Sequence, residues 1–145
     1  MKIITLSEKQ TIGLGKKIAK QLKGGETIAL IGELGAGKTI FTKGIATGLK
    51  IKKTITSPTF VLMKVYPINF KKSNKIKTLC HIDAYRLNSG KDLIDIGIND
   101  YLEQKNTVTI IEWADQVEDI LPINTIFVKI EVESNGKKRV ISIKK

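Results

Sequence analysis

The sequence predicts an α/β fold: a three-layer sandwich with a mixed, mostly parallel sheet and added antiparallel hairpins, in a single domain over residues 1–145. Three observations lead there. Two continuous apolar runs, residues 27–31 and 107–111, read as strands buried on both faces, as parallel strands under helical layers are. Stretches whose apolar residues recur at helical spacing alternate with these runs. Two further pairs of strand-like segments are each joined by a polar turn, which adds hairpins.

Taken in order, residues 2–6 read as a short strand. Ser7 followed by Gln10 fits a capping box, and Ile12, Ile18, Ala19 and Leu22 then keep helical spacing until Gly24-Gly25 stops the helix. The strand at 27–31 enters a glycine-rich loop, and Phe41, Ile45 and Leu49 share one face of the helix that leaves it and frays near Gly48. Residues 60–66 and 77–83 form an antiparallel pair across a lysine-rich loop. Residues 93–102 read as a helix interrupted at Gly97, and the strand 107–111 ends at Glu112. Residues 125–132 and 138–143 close the chain as a hairpin around Ser134-Asn135-Gly136.

Composition limits the function classes. Hydrophobic residues are 41% of the chain and charged residues 27%, values of a folded globular protein. No apolar run approaches the roughly 20 residues needed to cross a bilayer, so no membrane partner is expected. The start of the chain turns polar too soon for a signal peptide. Cys80 is the single cysteine, so no internal disulfide partner exists; it reads as a small buried hydrophobe in a strand, in a reducing, cytoplasmic setting. The net charge of +11 suggests nucleic acid, but only Arg86 and Arg139 of the 25 basic residues are arginine. A dedicated nucleic-acid surface would use more arginine for bidentate contacts. The densest patch, Lys71, Lys72, Lys75 and Lys77 with Ser73 and Asn74, reads as a solvated loop. Electrostatic attraction to RNA is therefore weak at most.

The strongest signal is Gly32-Glu33-Leu34-Gly35-Ala36-Gly37-Lys38-Thr39, which fits G-x-x-x-x-G-K-[ST] between a buried strand and a helix. Glycines let the backbone curl so that amides face a phosphate, and the next helix offers its positive end. Glu33, Leu34, Gly35, Ala36, Gly37, Lys38, Thr39 and Ile40 form this cradle. Lys38 would neutralise the β- and γ-phosphates, and the Thr39 hydroxyl would bind Mg²⁺. The loop makes the fold P-loop NTPase-like. Such sites also need an acidic residue at a neighbouring strand end, and both Glu112 and Asp83 qualify. The absence of an Asn-Lys-x-Asp stretch favours ATP over GTP, and the scarcity of arginine counts against a phosphate-clamping kinase lid.

Several motifs then stand in order: the loop, Ser57-Pro58-Thr59-Phe60, His81-Ile82-Asp83-Ala84-Tyr85-Arg86-Leu87 and Ile111-Glu112-Trp113. Together they resemble the TsaE (YjeE) family, the ATPase component of bacterial tRNA threonylcarbamoyladenosine synthesis, over nearly the whole chain. The resemblance implies an Mg²⁺-dependent ATPase of low intrinsic activity that is not itself the transferase. It also implies TsaD-type and TsaB-type partner subunits, with tRNA met indirectly or weakly. Thr39 and Glu112 would hold Mg²⁺, and Lys38, Glu112 and Asp83 would carry the chemistry. Ser57, Pro58 and Thr59 resemble a first switch, although a rigid turn before a strand accounts for them too. Asp83, Tyr85 and Arg86 resemble a second. Asp83 would orient metal or water; Arg86 would steady phosphate, meet a partner, or pair with an aspartate. Trp113 would touch nucleotide or partner, or belong to the core. His81 reads as structural, since no second histidine suggests a metal site. Ala84 departs from the larger apolar residue that the family often has there. Two rivals remain: a small-molecule kinase on the same loop, and a nucleotide-dependent RNA-binding protein.

Overall fold

A computed structural model describes residues 1–69 and 75–145. The proposed lysine-rich loop lies partly outside them, at Lys71 to Asn74. Among the described residues there are seven strands: β1 (Lys2–Thr5), β2 (Thr27–Ile31), β3 (Met63–Pro67), β4 (Thr78–Asp83), β5 (Thr107–Glu112), β6 (Ile126–Val132) and β7 (Arg139–Lys144). They form one sheet in the order β1-β7-β6-β2-β5-β4-β3. The central four, β6-β2-β5-β4, are parallel to one another, and the flanking pairs β1–β7, β6–β7 and β3–β4 are antiparallel. A mixed α/β sheet with a parallel centre and antiparallel hairpins at its flanks is therefore as expected.

Helices α1 (Glu8–Ala19) and α2 (Lys38–Gly48) cover one face. Phe41, Ile45 and Leu49 pack with Leu14 and Ile18 over Ile28, Leu30, Leu79, Val108 and Ile110. Burial of each large aliphatic or aromatic side chain contributes roughly 1.5–3 kcal/mol. The other face is covered by short elements: α3 (Lys91–Asp95), a 3₁₀ turn (Ile98–Asp100) and a 3₁₀ stretch (Ala114–Ile120). Leu93, Ile98, Ala114 and Val117 there meet Ala29, Cys80, Ile82 and Ile111. β2 is covered on both sides, with Ile28, Ala29 and Leu30 inaccessible to solvent. Among the described residues no helix is long and apolar enough to cross a membrane.

Several boundaries move from where local pattern puts them. α1 is capped by Ser7, which accepts from Gln10 N at 3.2 Å, while Gln10 reaches back to Leu6 N at 2.7 Å. It ends at Ala19 instead of continuing to Gly24, because Gln21 N and Leu22 N bond back three residues and tighten the last turn. Gly24 then passes so close to the Lys105 carbonyl that a Cβ would lie 2.1 Å from it. β3 starts at Met63, not Phe60. Leu62 takes a φ of 64° and Met63 N closes a tight turn onto Val61 O, so Phe60 and Val61 stand out of the sheet. The interruption at Gly97 is present, with a φ of 91°. The 3₁₀ stretch after β5 has no periodic signature in the sequence, and its backbone is kinked at Val117. In the last hairpin, Asn135 accepts from Lys137 N and Lys138 N, and Gly136 takes the left-handed conformation that the turn requires.

Candidate functional site

Three parallel strands deliver the site to one edge of the sheet. Asp83 of β4 pairs in register with Glu112 of β5, and Glu112 pairs with Leu30 of β2. Side chains along a strand alternate, so His81 and Asp83 share the face of Leu79, and Glu112 shares that of Val108 and Ile110. That is the face covered by α2. The loop after β2 curls over the row of carboxylates and returns as α2. Gly32 lies against β6, where a Cβ would meet Ile130 O at 2.4 Å, and Gly35 and Gly37 have φ values of 76° and 109°. Gly37 is the N-cap of α2 and supplies no side-chain cap, so the helix presents bare amides.

Thr39 donates to both oxygens of Glu112, at 3.0 and 3.1 Å. The Glu112 carboxylate is buried, and His81 Nε2 lies 2.8 Å from its Oε1. Asp83 is committed elsewhere: Oδ2 accepts from Ser57 Oγ and, at 3.0 Å, from Thr59 Oγ1, while Oδ1 accepts from Tyr85 N at 2.9 Å. Asp83 thus ties residues 57–59 to the sheet edge, with Pro58 buried behind them. Lys38 folds back on its own loop. Its ammonium donates to Gly32 O at 2.5 Å and Glu33 O at 2.9 Å, and stands 3.8 Å from the Trp113 ring centre. Burial pulls the Lys38 pKa below its usual 10.5, a shift only partly opposed by Glu112 and Asp83.

These groups line a cavity of about 440 Å³, a size suited to a small ligand. Leu34, Gly35, Gly37, Lys38, Thr39 and Ile40 form its floor, with Ser57, Thr59, Asp83, Tyr85, Glu112 and Trp113 around it. Trp113 packs against the second core cluster and also borders the cavity, with Tyr85 4.8 Å away between ring centres. Arg86 is not among the lining residues. Its guanidinium lies 4.7 Å from the Phe60 ring centre, and among the described residues it forms no ion pair with an aspartate. Two lining residues, Glu8 and Arg139, are not among the site candidates read from the sequence. Arg139 arrives from β7 and donates to Ala36 O at 2.9 Å. Its signal was rarity, as one of two arginines in the chain.

Oxygen donors of hydroxyl and carboxylate type are those that Mg²⁺ takes. Among the described residues no group of three or more His, Cys, Asp or Glu side chains gathers as an all-protein metal site. A pair such as Thr39 and Glu112 instead suits a cation that completes its shell with water and phosphate oxygens.

Comparison with known proteins places this geometry. The family model described as "Threonylcarbamoyl adenosine biosynthesis protein TsaE" matches residues 5–141. The tRNA threonylcarbamoyladenosine biosynthesis protein TsaE of Treponema pallidum (strain Nichols) is 36% identical over 140 residues, covering 97% of this chain and 98% of its own. That of Bacillus subtilis (strain 168) is 32% identical over 136 residues, covering 94% of this chain and 80% of its own. The crystal structure of Bacillus subtilis YdiB superposes with a TM-score of 0.79 at 30% identity, covering 99% of this chain and 83% of that one. Loop, strand-end carboxylates and whole-chain similarity agree, and the chain belongs to the TsaE family of tRNA threonylcarbamoyladenosine biosynthesis proteins.

Proposed function

We propose that the protein binds ATP with Mg²⁺ and hydrolyses it slowly, as the accessory ATPase of tRNA threonylcarbamoyladenosine modification. It acts on a complex of TsaD-type and TsaB-type subunits and allows that complex repeated rounds. The observation that carries this reading is the two-point contact of Thr39 with Glu112 beneath a glycine-rich loop, at the mouth of a cavity of about 440 Å³. Thr39 and Glu112 hold the metal, and bound Mg²⁺ supplies charge neutralisation at the phosphates. The loop amides and the N-terminus of α2 receive the β-phosphate. Lys38 leaves the Gly32 and Glu33 carbonyls for the phosphates, exchanging a buried position that disfavours its charge for one that favours it.

Asp83 holds the Ser57–Thr59 segment against the sheet, and it lies beside Glu112, where it would orient water. Of the two arginines, Arg86 lies outside the cavity lining, whereas Arg139 borders the cavity beside Gly37 with its Nε committed to the loop itself. Arg86 is engaged with Phe60, and Arg139 holds the Ala36 carbonyl. Slow turnover alone and faster turnover with partners follow, since an arginine supplied in trans is one way such sites are activated.

Multi-round tRNA modification in a reconstituted system tests the reading, run with the protein, without it, and with Lys38→Ala. Product should stop near one round without the wild-type chain and continue with it, and Lys38→Ala should fail to substitute. Three indistinguishable reactions would refute the accessory role.

A further inference from the structure

His81 is the chain's one histidine, and its ring is wholly buried in β4. Leu79 on the same strand face and Ile110, the register partner of His81 on β5, are fully buried aliphatic residues. An aliphatic side chain would fill such a place without leaving a ring nitrogen unpaired, so packing alone does not account for an imidazole. Its Nε2 lies 2.8 Å from Glu112 Oε1, whereas Nδ1 has no partner among the described residues. A carboxylate only accepts, so the hydrogen sits on Nε2 and points at Glu112.

Thr39 and His81 are the two side chains that donate to the Glu112 carboxylate among the described residues. They differ in what they are free to do. The Thr39 hydroxyl is itself a metal-binding group in the reading above, and its oxygen turns from Glu112 when it serves there. The His81 ring is enclosed and cannot turn away. We propose that His81 is a positioning residue for Glu112, fixing the carboxylate so that it meets the cation together with Thr39. This rests on the Mg²⁺-dependent nucleotide site proposed above. Groups that bond to a metal-binding side chain from behind set its orientation, and their loss typically weakens metal binding or activity about 10–100-fold.

The test uses the full chain with His81→Gln, His81→Asn and His81→Leu, and reads binding of a fluorescent ATP analogue with and without Mg²⁺. Glutamine carries an amide N–H near the place of Nε2. Asparagine is too short to reach Glu112, and leucine keeps volume without a donor. Mg²⁺ needed for half-saturation should rise about 10–100-fold for the Asn and Leu variants and stay within about threefold of wild type for Gln. Analogue affinity without Mg²⁺ should not change in any of them, because Lys38 and the loop amides are untouched. A Leu variant with wild-type Mg²⁺ dependence overturns the proposal. So does a Gln variant no better than Leu, or a loss that follows the melting temperature across all three, since either makes His81 a matter of packing. If wild type itself binds nucleotide without regard to Mg²⁺, the metal-site reading fails first and this one falls with it.

Discussion

Replacing Gly15 by alanine should destabilise the protein, whereas the same change at Gly13, two residues earlier on the same helix, should stabilise it. Both lie within α1. A Cβ at Gly15 would sit 2.6 Å from Phe41 O and 2.9 Å from both Gly44 Cα and Ile45 N, all backbone atoms of α2. Ordinary contact begins near 3.4 Å, so the two helices must part by about 0.8 Å or bend. Overpacking of that kind costs about 1–3 kcal/mol, and the better helix propensity of alanine returns about 0.5–1 kcal/mol. The net loss is centred on about 1 kcal/mol and reaches about 2.5 kcal/mol at most. Nothing lies within 4 Å of a Cβ at Gly13, so there the propensity gain of about 0.5–1 kcal/mol stands alone. The propensity gain is common to both, so the variants should differ by the overpacking cost, roughly 1–3 kcal/mol, or roughly 3–12 °C in melting temperature for a domain of this size. α2 begins with Lys38 and Thr39, so Gly15→Ala should also weaken nucleotide binding more than Gly13→Ala does. Thermal melts with a nucleotide titration decide it. If Gly15→Ala melts at or above wild type, or both variants shift in the same direction, the close-packing argument is wrong.

Thr39→Val removes the hydroxyl that meets Glu112 at 3.0 and 3.1 Å, and should abolish most of the Mg²⁺-dependent gain in nucleotide affinity, more than 10-fold, while Mg²⁺-free affinity is kept. Titration of a fluorescent analogue with and without Mg²⁺ reads this. Cys80 is buried and its thiol is pushed up to about 12, so a thiol reagent at pH 8 should react only at the rate of unfolding; fast labelling of folded protein would refute that. Between the ordinary pKa of 9.0 and about 12 the unfolded chain loses that proton first, so the stability contributed by Cys80 falls as pH rises through this range. Lys38 has the opposite sign. Burial lowers its pKa, so between the lowered value and 10.5 the unfolded chain binds more protons and stability rises with pH. Urea midpoints at pH 8 and pH 10 should therefore shift in favour of wild type over Lys38→Met as pH rises, and no relative change would refute the assignment.

Features written in local pattern were legible without coordinates. The buried runs of β2 and β5 needed only their apolar continuity, and the glycine-rich loop only its spacing. Glu112 and Asp83 were legible as the last residues of strands, because a strand's end is set by local composition. His81 was legible only as structural, because its partner Glu112 lies on a different strand. Misplaced boundaries have a common cause. α1 ends early and β3 begins late where a close approach of Gly24 to Lys105 and a left-handed Leu62 outweigh propensity.

What the sequence alone determined, then, is the α/β class, the loop and the identity of the acidic candidates, since helical and strand periods and glycine's freedom act within a few residues. Which carboxylate meets which hydroxyl was decided by tertiary structure. Thr39 and Glu112 are 73 residues apart, Ser57 and Asp83 are 26 apart, and Arg139 crosses 103 residues to hold the loop at Ala36. No local pattern encodes those pairings. They follow from the parallel register that aligns β2, β5 and β4 at one sheet edge and from the hairpin that brings β7 back to the loop.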